Sequence, residues 1–150
     1  MYKRIAVAVD GSKTSDRALR EAVGLAGETG SRILLLHVCE EVPAMWEPGS
    51  IGMIPTQDIA QAIADAGKEL LKELEARVAG QGLPVETRLV ETFGGRVGGI
   101  ISEEAQKWSA DLLVVGTHGR KGVDHILMGS VAEGVVRTTA IPVLLVRGEN

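Results

Sequence analysis

The chain has 150 residues, 45% hydrophobic and 24% charged, an ordinary balance for one water-soluble globular domain. Its formal net charge of −4 leaves no basic excess to neutralise a phosphodiester backbone, which argues against nucleic acid as a partner. Aromatic residues make up only 3%, so the core must come from Val, Ile, Leu and Ala, and the single cysteine, Cys39, excludes an intrachain disulfide.

The chain opens M-Y-K-R-I-A-V-A-V-D-G-S. Ile5 to Val9 reads as a short buried strand, and Asp10-Gly11 ends it too soon for the apolar core of a secretory signal. Ala18, Leu19, Ala22, Val23 and Ala26 follow at helical spacing, with Ser12 or Thr14 as candidate caps and Asp16 in the first turn. Ile33 to Val38 is a second continuous apolar run. Glu40 to Pro55 holds three prolines and two glycines, with Met45, Trp46, Ile51 and Met53 giving it an apolar side. A segment of that length is either a loop folded back on its own helix or a lid or docking element.

Ile59, Ile63, Leu70, Leu71, Leu74 and Val78 mark a long second helix, with Glu73 and Arg77 at the spacing of an exposed ion pair. Pro84 to Val90 alternates more than the other strands, as suits a sheet edge. Val97, Ile100, Ile101, Ala105 and Trp108 give a third helix, and Asp111 to Val115 a fourth strand. Val131 to Arg137 is the fourth helix and Pro142 to Val146 the fifth strand. No apolar run approaches the ~20 residues of a membrane span. The expectation is a single α/β domain over residues 1–150, with a parallel sheet covered by helices on both faces, right-handed crossovers and a cytoplasmic setting.

In such a sheet, ligands bind beyond the carboxyl ends of the strands where the strand order reverses. The glycine-rich stretch from Gly116 to Ser130 lies at that edge, between a buried strand and a helix. Backbone N–H groups at the helix start form an anion site, and glycine lets a phosphate reach the main chain. The same residues admit a structural reading: Ser130-Val-Ala-Glu133 is a capping box and the glycines are turn residues. Asp10 is open in the same way, since Asp-Gly-Ser is a turn and cap former. His37, His118 and His125 show no metal spacing, and His37, inside an apolar strand, reads as a satisfied core or rim residue. His118 sits in the glycine loop, within reach of a ligand, and Cys39 reads as a partly buried, unreactive thiol. Neither G-x-S-x-G nor G-x-x-x-x-G-K-[ST] occurs, so hydrolase-triad and P-loop chemistry are not indicated.

Gly116-x2-Gly119-x9-Gly129-Ser130 resembles the G-x2-G-x9-G-[S/T] signature of the universal stress protein family, in its ATP-binding branch. The blocks I-A-V-A-V-D-G-S, L-L-L-H-V, D-L-L-V-V-G-T-H-G-R, L-M-G-S-V-A-E and I-P-V-L-L-V-R extend the resemblance over nearly the whole chain. It implies a five-stranded sheet of order 3-2-1-4-5, Rossmann-like, and an adenine nucleotide (ATP, ADP or AMP) with Mg²⁺. Adenine would rest against Ala8, Val9 and Val38, with Val115 at the strand end. Asp10 would stand near the ribose and the metal. Gly116 and Gly119 would pass under the ribose and α-phosphate, and Gly129, Ser130 and Val131 would hold the phosphates. Arg120 would add charge at the γ end or be solvated. Where relatives often carry G-x-P after strand three, this chain has Gly94-Gly-Arg-Val-Gly-Gly99. The resemblance also implies a homodimer through the apolar edge Ile141 to Val146, a regulatory role under stress and at most slow ATP hydrolysis. Two other classes stay open: a nucleotide-independent interaction module and a nucleotidyl-transfer enzyme of the related α/β group.

Overall fold

The computed structural model describes residues 1–41, 56–118 and 128–148. Nine elements alternate: β1 (Arg4–Ala8), α1 (Lys13–Thr29), β2 (Arg32–Glu41), α2 (Thr56–Ala79), β3 (Val85–Phe93), α3 (Val97–Lys107), β4 (Leu112–Gly116), α4 (Ser130–Thr138) and β5 (Val143–Val146). The strands form one sheet in the order β3-β2-β1-β4-β5, with every pairing parallel, as expected. Among the described residues no helix is long and apolar enough to cross a membrane.

Alternation along each strand splits the core in two. Ile5, Val7, Ile33, Leu35, Leu112 and Val114 face α1 and α2, packing on Ala18, Leu19, Ala22, Leu71, Leu74 and Val78. Ala6, Leu34, Leu36, Leu113 and Val115 face α3 and α4, packing on Ile101, Ala105, Trp108, Ala132 and Val135. The inner strands are apolar on both sides because helices cover both sides. The outer strands, β3 and β5, carry the mixed burial of edges.

Three local expectations are corrected. Glu40 and Glu41, expected to open a loop, are strand: β2 continues to Glu41 and β3 to Phe93. They pair as Cys39↔Glu91, Glu40↔Thr92 and Glu41↔Phe93, beyond the end of β1. Four of these six residues are polar, so hydropathy does not announce the extension. The remainder of the Glu40 to Pro55 segment lies outside the described residues. Arg77 does not pair with Glu73. Its guanidinium reaches across to Asp16 of α1 at 2.7 Å, because a carboxylate on the facing helix gives a shorter contact than one on its own. Cys39 is fully rather than partly buried, with its thiol 3.7 Å from the Ile63 carbonyl.

The two helical layers are joined differently. A Cβ on Gly98 would lie 2.7 Å from Gly134 C, Val131 O and Val135 N, so α3 and α4 touch backbone to backbone. Ser102 and Thr138 face each other at 2.9 Å beside that contact. The Gly94 to Gly99 run thus includes a helix-packing residue. α3 is tied to the edge strand by Arg88, whose guanidinium lies 3.0 Å from the Glu104 carboxylate. Burial pushes the Glu104 carboxyl up, but hydrogen bonds and charges from Lys107 and Arg88 outweigh it and hold it below the usual carboxylate range.

Gly98→Ala is expected to destabilise the fold by about 1–3 kcal/mol, since the added methyl meets backbone atoms that cannot rotate away. Gly99→Ala, one residue on, meets nothing within 4 Å and is expected to be neutral or slightly stabilising. Urea denaturation of the pair checks this; equal destabilisation would remove the packing explanation.

Candidate functional site

The end of β1 sets one wall of the site. The Asp10 carboxylate accepts the Ser12 N–H at 2.9 Å, the Ser12 hydroxyl accepts the Ser15 N–H at 3.1 Å, and the Ser15 hydroxyl accepts the Asp10 N–H at 3.0 Å. Gly11, at φ +81°, supplies the left-handed step that this turn needs. Ser12, not Thr14, is therefore the cap of α1. The turn reading of Asp10 is real, and the residue also faces the cleft described below.

The end of β4 sets the other wall. The Thr117 N–H donates to the Val146 carbonyl at 2.9 Å, and the Gly129 N–H donates to the Thr117 carbonyl at 2.6 Å. The chain therefore leaves after β4 and returns to α4 at nearly the same place. Gly129 is the extended residue that precedes α4, and Ser130 is its first helical residue. This overturns the capping-box reading, which needs Ser130 outside the helix with its hydroxyl turned back on the N–H of Glu133. Instead the Glu133 N–H donates to the Gly129 carbonyl at 3.0 Å, and the Ser130 side chain is exposed. The N–H groups of the first turn, from Ser130 onward, have no carbonyl within the helix to accept them.

Between these walls lies a cleft of about 700 Å³, within the range of small-molecule sites. Ala8, Val9, Asp10, Val38, Val115, Gly116, His118, Gly129, Ser130 and Val131 all line it. Gly119 and Arg120 lie outside the described residues. Val9 contributes main chain only: its side chain belongs to the core under α1, and its carbonyl is 2.7 Å from His37 Nδ1. His37 is thus the satisfied rim residue expected. His118 Nδ1 lies 3.0 Å from the Thr117 hydroxyl. Gly116 answers a close approach of a different kind from that expected. A Cβ there would lie 2.8 Å from the Thr14 methyl and 3.3 Å from Thr14 main chain, so the glycine also admits the first turn of α1.

Sequence reasoning missed several lining residues. Leu36 and Glu40 share the Val38 face of β2, which period-two alternation along the strand would have shown. Val97 and Ile101 come from α3, and the i, i+4 spacing of an apolar pair was the available signal. Met128 and Thr117 carried none. Apolar residues come from β1, β2, β4, α3 and α4. The polar rim holds Asp10, Ser130 and Glu133, the last paired with Arg137 at 2.7 Å. Among the described residues no three His, Cys, Asp or Glu side chains converge as a metal cluster.

An open parallel sheet with a crevice where strand order reverses defines the doubly wound α/β class. The sequence profile of the universal stress protein family matches residues 1–147, and the chain belongs to that family. A universal stress protein of Methanocaldococcus jannaschii is 32% identical over 147 residues, covering 98% of this chain and 83% of that protein. The YxiE universal stress protein of Bacillus subtilis is 33% identical over 151 residues, covering 98% and 100%. Among solved structures, a family member from Burkholderia pseudomallei is 30% identical, with TM-score 0.75 over 96% of this chain and 95% of that one. Two others are each 25% identical. One is a universal stress protein in complex with cAMP, TM-score 0.68, covering 99% of both chains. The other is the Archaeoglobus fulgidus protein in complex with dAMP, TM-score 0.66, covering 97% of this chain and 98% of that one.

Gly116→Ala is expected to destabilise the chain by about 1–2 kcal/mol through its clash with Thr14. Thr14→Ser removes the clashing methyl, so the double variant should recover part of that loss in a double-mutant cycle. Strict additivity would mean that the Thr14 contact is not the cause.

Proposed function

We propose that the whole chain acts as one adenine-nucleotide-binding regulatory domain of the universal stress type, with ATP and Mg²⁺ as its ligand. The observation that carries this is the exposed start of α4 at Gly129–Ser130, set across the 700 Å³ cleft from the apolar Ala8, Leu36 and Val38. A flat base fits against the apolar side, and a phosphate chain fits against free amides at the helix start. The cAMP and dAMP complexes of relatives support an adenine nucleotide. Val38 would read the base edge through its main chain, and Gly129, Ser130 and Val131 would hold the phosphates. Arg120 and Gly119 would complete the cradle.

Asp10 fits a Mg²⁺ ion held chiefly by phosphate oxygens and water, since that ion commonly takes only one or two carboxylates from a protein. The bound ion would neutralise phosphate charge beside the acids of the rim. Hydrolysis should be slow. Asp10 has an oxygen engaged by the Ser12 N–H and Glu133 is paired with Arg137, so neither stands ready as a base on water. The chain then works by binding: a cytoplasmic stress-response protein whose surface changes with its nucleotide, for a protein partner.

β5 supports a dimer. Leu144 and Leu145 are 38% and 36% exposed on an edge strand, an arrangement that invites pairing with a second edge. A homodimer through Ile141 to Val146 would cover it. Sedimentation at micromolar concentration should give twice the chain mass, with Leu144→Glu/Leu145→Glu monomeric; a monomeric parent chain would overturn the dimer.

Calorimetric titration of nucleotide-free protein with ATP and Mg²⁺ tests the central reading. Saturable binding is expected, and Gly129→Val should weaken it at least tenfold by placing a branched side chain in the phosphate path. Folded protein that ignores ATP would leave the nucleotide-independent interaction module as the better account. Multiple-turnover phosphate release would restore the enzyme reading.

A further inference from the structure

A second cavity, of about 410 Å³, opens between α1 and α2; of its lining residues only Ser15 also lines the proposed nucleotide cleft. Lys13, Arg17 and Arg20 line it from α1, at the i, i+4, i+7 spacing of one helix face. Arg77 reaches it from α2. The only carboxylates among its described lining residues are Asp16 and Glu73. Asp16 serves two guanidiniums at once, with Arg20 at 3.3 Å and Arg77 at 2.7 Å. Arg17 is half-buried, and neither it nor Lys13 has an ion pair or side-chain hydrogen bond among the described residues.

Four cations therefore converge on one concavity against two carboxylates, in a chain whose formal net charge is −4. Asp16 joins Arg20 and Arg77, which leaves the charges of Arg17 and Lys13 for an anion from outside. Its large apolar lining is confined to Leu74, only 6% exposed, and the half-buried Leu70, a small face for a docking helix. The size and charge suit a small multivalent anion. Arginine narrows the class further, since its planar fork matches the oxygens of a phosphate in pairs.

We propose that this cavity binds a small condensed-phosphate anion, held by Arg17, Arg20 and Arg77, at a place distinct from the nucleotide cleft. Glu73, a carboxylate of the same lining, favours anions compact enough to stay on the arginine side. The proposal does not depend on the nucleotide reading.

Inorganic pyrophosphate is the probe, titrated without metal into the full chain by calorimetry, with amide chemical shifts recorded alongside. Saturable binding with shifts concentrated on residues 13–20 and around Arg77 is expected. Arg17→Ala should weaken it at least fivefold, and Arg17→Lys less, because charge remains while the fork is lost. Gly129→Val should leave it unchanged. ADP titrated into the Gly129→Val protein separates the sources: binding by both ligands assigns a nucleotide's phosphate tail, binding by pyrophosphate alone assigns the free anion. The proposal is overturned if wild-type protein does not bind millimolar pyrophosphate, or if folded Arg17→Ala and Arg77→Ala bind it as wild type does. It is also overturned if Gly129→Val, and not Arg17→Ala, abolishes binding, which would place the anion in the nucleotide cleft. That last result would leave the nucleotide reading intact.

Discussion

β1 and β4 lie side by side, yet the chain leaves their ends towards opposite faces of the sheet: α1 covers one face and α4 the other. That divergence is what opens a cleft above the pair. Parallel strands make it unavoidable, because each crossover must carry a helix and the order reverses between β1 and β4. The rest of the site follows from closing the two diverging ends without leaving polar groups unpaired. At β1, three side chains and three N–H groups close a turn on themselves. At β4, Thr117 ties the returning chain to β5 on one side and to Gly129 on the other. The N–H groups at the head of α4 are the ones left over, on residues that line the cleft.

The arrangement demands small residues in specific places. Gly116 must pass the first turn of α1, and Gly98 must admit α4. Glycine at these two positions thus serves packing, and Gly116, where a Cβ would meet Thr14, also borders the cleft.

Most of the fold could be read from the sequence, because a sheet covered on both faces forces continuous apolar strands and single-faced helices. Ile5 to Val9 or Ile33 to Val38 would fit little else. The illegible parts were those where a distant group decides. Hydropathy cannot show that Glu40 and Glu41 pair with Thr92 and Phe93, because a mostly polar ribbon is held by backbone bonds. Spacing cannot show that Arg77 prefers Asp16 over Glu73, since the competitor stands on another helix. The S-x-x-E pattern at Ser130 misled because Gly129, with no side chain to bond, took the capping position one residue earlier. That Ala8, Asp10, Val38 and Ser130 line the cleft agrees with the positions the family resemblance implied. For Val97 and Ile101 the i, i+4 spacing marks an apolar helix face, but not that this face lines the cleft, which depends on where α3 crosses the sheet.

The backbone contact at Gly98 and Gly134 has a mechanical consequence. Helices that meet through side chains can slide as rotamers change, whereas helices seated main chain on main chain have no such slack. The α3 wall of the cleft, with Val97 and Ile101, and the α4 wall, with Val131, therefore move as one body. A ligand too large for the space cannot wedge these two apart. Among the described residues the less tied wall is the strand side, where Glu40 of the β2–β3 ribbon lines the cleft and each strand of the ribbon has a single neighbour. The gauge of the site is thus set by a fixed jaw of two locked helices and an adjustable one of two strands.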